Sequence, residues 1–266
     1  GNGEKITSSG SYPNYTVIHL NGADFFTINN LTVEANGLSS STRCYTINKN
    51  ADSNTIKNSN LLMPRYTSTS SYTAYVMYSN DLLYRRDADH GSGNVIKDNV
   101  MSNGVSTTAG PYYGVCDYRG FRTQSEGNVV SGNVISDVYS AGVYNYYVNN
   151  FQATSNKINF RLRTAYTCYG IYAYRGNGDK GVKINNNTIE KQNLTSGMYG
   201  VYMYYINGDN TMPVEVKNNK IDRININADR DFIGFYINRD NFVNVTGNTV
   251  SNIVTRAIRT YRNGTA

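Results

Sequence analysis

The sequence predicts an all-β solenoid of about eight coils, with two to three short parallel strands per coil. Three observations predict it. A motif of aliphatic, any residue, Asn/Gly/Asp, usually Asn, any residue, aliphatic runs from "INNLTV" at 28–33 to "VTGNTV" at 245–250. Its starts, at residues 28, 56, 96, 130, 153, 184, 216 and 245, have a mean step of 31 residues. A second motif keeps that step and reads Gly, aliphatic, Tyr, any residue, Tyr. It appears as "YGVCDYRG" at 113–120, "AGVYNYYVNN" at 141–150, "YGIYAYRGNG" at 169–178, "YGVYMYYINGDN" at 199–210 and "IGFYINRDN" at 233–241. Finally, no window of the chain sustains a helical spacing of apolar residues.

A fixed period of this length marks units that cannot bury an aliphatic face alone and must stack on their neighbours. Runs of Ile, Val, Tyr and Thr between Gly, Asn and Asp turns are strand material. Eight coils at the spacing of paired strands give a rod of roughly 40 Å. The clear repeats cover about 25–262, and the sequence predicts one domain over 1–266, a segment of a longer chain.

Each motif has its own task. Asn99, Asn133, Asn156, Asn187, Asn219 and Asn248 hold one place in six successive coils. Asn tolerates left-handed backbone angles, and its amide can bond the equivalent amide one coil away. That column is structural. In the Gly motif, the next residue (Cys44, Tyr75, Val115, Val143, Ile171, Val201, Phe235, Ile258) is almost always apolar and should face inward. Strict alternation then turns the Gly, and the residues two and four later, outward. One outward column holds Tyr45, Tyr144, Tyr172, Tyr202 and Tyr236; the other holds Tyr78, Tyr118, Tyr146, Tyr174, Tyr204 and Tyr261. The Gly beside each pair should leave room for a ring to lie flat. Arg119, Arg175, Arg239 and Arg262 follow the second Tyr and should edge the same face.

Composition narrows the function. The chain has 25 Tyr, 24 Gly and no Trp, and only 17% of its residues are charged, which excludes a disordered polyelectrolyte. Its formal charge of +6 fits an acidic partner or simply a soluble surface. The basic residues are scattered singly, so no nucleic-acid partner is expected. No apolar run is long enough to span a bilayer, so no membrane insertion is expected. No signal segment opens the chain, which reads as a mature or trimmed form with any targeting signal removed. Three cysteines without metal-like spacing read as buried free thiols, and His19 and His90 stand too far apart to announce a zinc site by spacing.

The repeats typified by "GNVVSGNVISDVYSAGVYNYYVNN" at 127–150 resemble those of right-handed parallel β-helices of the pectate-lyase-like superfamily. The resemblance implies a right-handed parallel β-helix and a secreted or cell-surface location. It leaves activity open, because that fold carries lyases, hydrolases, esterases, tailspikes and non-catalytic surface proteins. The Asn-Thr-Asp, Asp-Asp and Arg-Ile-Lys signatures of polygalacturonase-like members are missing in matching order, as is the Asp-Pro-His of epimerase-like members.

Three functional readings stand together. Tyr118, Tyr144, Tyr146, Tyr172, Tyr174, Tyr202, Tyr204 and Tyr236, with Arg119, Arg175 and Arg239, could bind an extended, anionic polysaccharide or other glycan along the rod. The same face, or the coil ends, could instead serve self-association in a surface fibre, stalk or sheath, since aromatic columns also stabilise solenoids. The long excursion at 79–94 gathers Tyr84, Arg85, Arg86, Asp87, Asp89 and His90. If the chain is an enzyme, these fit a polysaccharide lyase before a glycoside hydrolase. Arg85 or Arg86 would neutralise a uronate carboxylate, His90 or Tyr84 would act as base, and Asp117 is the nearest acid of the next coil. No cofactor is expected, although Asp87 and Asp89 have the hard oxygen ligands that Ca²⁺ takes.

Overall fold

The computed structural model describes residues 3–9, 16–37, 40–64, 72–78, 91–103, 110–118, 125–146, 148–160, 167–174, 181–226 and 230–255. The side chains of residues 118, 125, 148 and 192–194 lie outside that description.

Three parallel sheets form the walls of a right-handed β-helix. Sheet A has nine strands, from Glu4–Ser8 to Thr249–Thr255. Sheet B has eight, from Thr16–Asn21 to Phe232–Asn238, and sheet C has eight, from Thr27–Asn29 to Val243–Thr246. The chain visits A, B and C in turn, so each coil contributes one strand to each wall. A short accessory pair, Ser125–Glu126 with Val148–Asn149, lies outside the three walls. The solenoid already includes Glu4–Ser8 and Thr16–Asn21, ahead of the first clear repeat.

The interior is built from in-register aliphatic columns. Sheet A stacks Val33, Leu61, Met101, Ile135, Ile158, Ile189 and Ile221, all without solvent exposure. Sheet C stacks Ile56, Ile96, Val130, Ala153, Ile184 and Val216 against them. Burying each larger aliphatic stabilises by about 1.5–3 kcal/mol.

The corner between C and A separates two tasks that the sequence assigns to one Asn. Asp98, Gly132, Ser155, Asn186, Asn218 and Gly247 take the positive φ, and the Asn that follows each of them makes the ladder. Asn156 is typical. Its Nδ2 donates to the Val130 carbonyl at 2.9 Å and to Asn187 Oδ1 at 3.0 Å. Its Oδ1 accepts from the Asn133 backbone N–H at 3.1 Å and Asn133 Nδ2 at 3.0 Å. The pattern repeats through Asn99, Asn133, Asn187, Asn219 and Asn248. A second buried ladder, Asn54–Asn94–Asn128, holds the corner from B into C over the early coils.

The glycines of the Tyr motif face inward, contrary to strict alternation. A Cβ on Gly170 would stand 2.6 Å from Ile189 Cδ1 and 2.4 Å from the Gly200 carbonyl oxygen. Gly114, Gly142 and Gly200 meet Ile135, Ile158 and Ile221 in the same way. Gly and the apolar residue after it are therefore two consecutive inward residues. The glycine gives room to the core of sheet A, not to a tyrosine outside.

Register corrects two further assignments. Tyr45 pairs with Val76, and Val76 with Val115, so Tyr45 lies in the inward column. Tyr78 pairs with Asp117, again inward. Both tyrosines are buried, because a one-residue slip in alignment transfers a side chain to the other face of a strand. The three cysteines are free and buried, as the sequence predicts.

Candidate functional site

Sheet B carries the tyrosines on its outer surface. Tyr144, Tyr172, Tyr202 and Tyr236 are in register along strands Ala141–Tyr146, Cys168–Tyr174, Met198–Tyr204 and Phe232–Asn238. Tyr146, Tyr174 and Tyr204 form the second predicted column. All seven are half-buried. Tyr118 continues the second column in backbone register with Tyr146.

A third column is present that alternation does not foresee. Tyr169 and Tyr199 precede the glycine and stand outside, because the inward Gly–aliphatic pair resets the alternation between them and Tyr172 or Tyr202. The recurrent Tyr-Gly in "YGIYAY" and "YGVYMY" was the available signal.

The rings stack on one another. Centroids lie 4.6 Å apart for Tyr144–Tyr172, 4.8 Å for Tyr172–Tyr202 and 4.8 Å for Tyr202–Tyr236, with planes within 8° of parallel. Tyr146–Tyr174 and Tyr174–Tyr204 repeat the arrangement at 4.8 and 5.2 Å. Tyr169 and Tyr199 stack at 5.3 Å and meet the central column edge to face. Rings do not lie flat on the sheet. Their faces are taken by the rungs above and below, and edges and hydroxyls are left for a ligand. Offset and T-shaped contacts of this kind are worth about 0.5–1.5 kcal/mol per pair beyond burial.

The ladder has a definite start. In its central column Tyr144 follows Thr46, Met77 and Cys116, and the last two are buried with Ala74, Tyr113 and Ala141 in a small outer cluster. The half-exposed ladder therefore begins at Tyr144.

Phenol ionisation is disfavoured at the middle of the central column. Burial, followed by the neighbouring Tyr202 and Tyr169, pushes Tyr172 well above the usual phenol range. Burial and then Tyr236 push Tyr202 up to about 12. At neutral pH Tyr172 and Tyr202 therefore present neutral hydroxyls, each able to donate and accept.

Arg239 edges the face as expected, in the turn after Phe232–Asn238, with its guanidinium carbon 5.7 Å from the ring centroids of both Tyr204 and Tyr205. In the same turn Asp240 accepts from the backbone N–H of Asn238 at 2.9 Å and from that of Ile206, and burial raises its pKa to about 6. Asp117 is buried in the column of Tyr78 and Asn145, away from the outer rings. Arg119, Arg175, Tyr84, Arg85, Arg86, Asp87, Asp89 and His90 lie outside the described residues. Among the described residues no group of three His, Cys, Asp or Glu is placed to hold a metal ion. The described residues form no helix long and apolar enough to cross a membrane.

No family model matches the chain, and no curated protein matches it. Among solved structures it is similar to the surface protein and adhesin PfbA of Streptococcus pneumoniae, at 10% identity and a TM-score of 0.48, over 92% of this chain and 84% of that one.

Proposed function

We propose that the protein is a secreted or cell-surface β-helix that binds an extended polysaccharide along the tyrosine face of sheet B. The observation that carries this is the in-register, half-exposed run from Tyr144 to Tyr236, one rung per coil. A surface that repeats along a line suits a ligand that repeats along a line. With the ring faces already stacked, sugar contacts come from hydroxyls and ring edges. Each phenol hydrogen bond contributes about 1 kcal/mol net, so affinity accumulates over successive rungs. Arg239 at the edge, together with the net charge of +6, favours glycans bearing carboxylate or sulfate.

Affinity gels containing alginate, pectate or a sulfated glycan test this directly. The chain should be retarded by at least one of them. Tyr172→Ala with Tyr202→Ala should weaken that retardation about tenfold or more, from the loss of roughly 1.4 kcal/mol or more of contact. Migration unchanged in every gel would end the reading.

The stacking favours a second reading, in which the face is a structural or adhesive element of a surface assembly. Ring faces that satisfy one another need no ligand to be stable. Size analysis at rising concentration, without glycan and with the Tyr172→Ala/Tyr202→Ala variant alongside, separates the two: growth that the variant loses is assembly through the face, and growth that it keeps comes from elsewhere, such as the coil ends.

A further inference from the structure

The ladder also has a chemical capacity that ligand binding does not use. Phenols are the natural end point of one-electron oxidation in a chain that contains no Trp and whose three thiols are buried. Here four phenols of one column stand 4.6–4.8 Å apart, centroid to centroid, with planes within 8° of parallel. Three more follow at 4.8 and 5.2 Å. All are half-buried, so an oxidant can reach an edge and each ring has an open side toward which it can tilt. We propose that this face is a site of oxidative cross-linking, at which consecutive rungs of Tyr144, Tyr172, Tyr202 and Tyr236, and of Tyr146, Tyr174 and Tyr204, join as dityrosine between neighbouring coils.

The co-reactant is a haem peroxidase working with hydrogen peroxide. Each of two adjacent phenols gives up one electron to the oxidised haem and one proton to water, leaving two phenoxyl radicals. The radicals pair their electrons in a new carbon–carbon bond between ring positions ortho to the oxygens. Each bonded carbon then loses its hydrogen as a proton and each oxygen regains one, restoring two phenols. In sum, two tyrosines and one hydrogen peroxide give one dityrosine and two waters. Elsewhere a phenoxyl radical must wait for a partner to diffuse to it, whereas on this face the partner is held in van der Waals contact. That fixed proximity is the source of the selectivity. The product ties two coils about 30 residues apart in sequence, and a covalent closure of that kind restrains the unfolded chain.

The test treats the dilute protein with horseradish peroxidase and hydrogen peroxide, with a short tyrosine peptide as a parallel control. Dityrosine fluorescence should appear on a species of monomer size, and intact mass should fall by two hydrogens per link. Peptide mapping should place links between consecutive rungs, such as Tyr172 with Tyr202. The Tyr172→Phe/Tyr202→Phe variant keeps both rings in the stack but removes the phenols, so every link of the central column should vanish from the map while Tyr146–Tyr174–Tyr204 links persist. The wild-type map decides the matter alone if that variant does not fold. Conversion of the control peptide without dityrosine in the protein would overturn the proposal. So would cross-links found only between chains, or only outside the two columns.

Discussion

Asn156→Ala is expected to lower stability by about 3–5 kcal/mol, because one side chain closes four buried hydrogen bonds. Truncation takes from the Asn133 backbone N–H its bond to Asn156 Oδ1. It also removes one partner each from Asn133 Nδ2, Asn187 Oδ1 and the Val130 carbonyl, all buried inside the coil. The orphaned Asn133 N–H costs about 1–3 kcal/mol and each further lost bond about 0.5–1.5 kcal/mol, since Asn133 Nδ2 keeps the Ile96 carbonyl and Asn187 Oδ1 keeps the Asn156 N–H. The preceding position of a corner supplies the contrast. Asn186 is exposed and carries the positive φ, so Asn186→Gly should change stability by less than about 1 kcal/mol. Denaturant midpoints of the two variants check the pair. A loss below about 1 kcal/mol for Asn156→Ala would mean that backbone pairing, not the amide ladder, holds the corners.

Gly170→Ala is the second large effect, about 3 kcal/mol or more of destabilisation. The added methyl would sit 2.4 Å from the Gly200 carbonyl oxygen and 2.6 Å from Ile189 Cδ1. Ile189 can shift or be trimmed, but a carbonyl inside a parallel ladder cannot, and overpacking of this kind commonly costs about 1–3 kcal/mol even without a backbone clash. Ile189→Val in the same chain should recover part of the loss, a favourable coupling between two residues on different sheets. Were the glycine's task to make room for the tyrosines outside, Ile189→Val would recover nothing. Thermal unfolding of the two single variants and the double variant measures the coupling.

Much of this architecture was legible because a solenoid writes its geometry into the sequence once per coil. The 31-residue step, the Ile/Val columns and the Asn ladder follow from repetition alone. What failed did so where one coil departs from the rest. "RCYTIN" and "AYVMY" lack the glycine that marks the frame, so matching them by their tyrosines moved Tyr45 and Tyr78 from the core to the outside. Tyr169 and Tyr199 were missed because two consecutive inward residues break the two-residue period on which strand reading depends. The Asn54–Asn94–Asn128 ladder gives way to Phe151 and Val182 at the same corner in later coils, too few repeats to announce itself. That rings stack face to face, leaving only edges outside, is a relation between coils, and no single repeat contains it.

On the proposed reading the tyrosines act as one continuous surface, not as separate contacts. Titrating the chain with oligosaccharides of increasing length, prepared from whichever polysaccharide retards it, tests that most directly. A continuous ladder predicts affinity that climbs with each added unit until the oligosaccharide spans the rungs from Tyr144 to Tyr236, then levels off. Affinity that is already complete with one or two sugar units would place binding at a single pocket and contradict it.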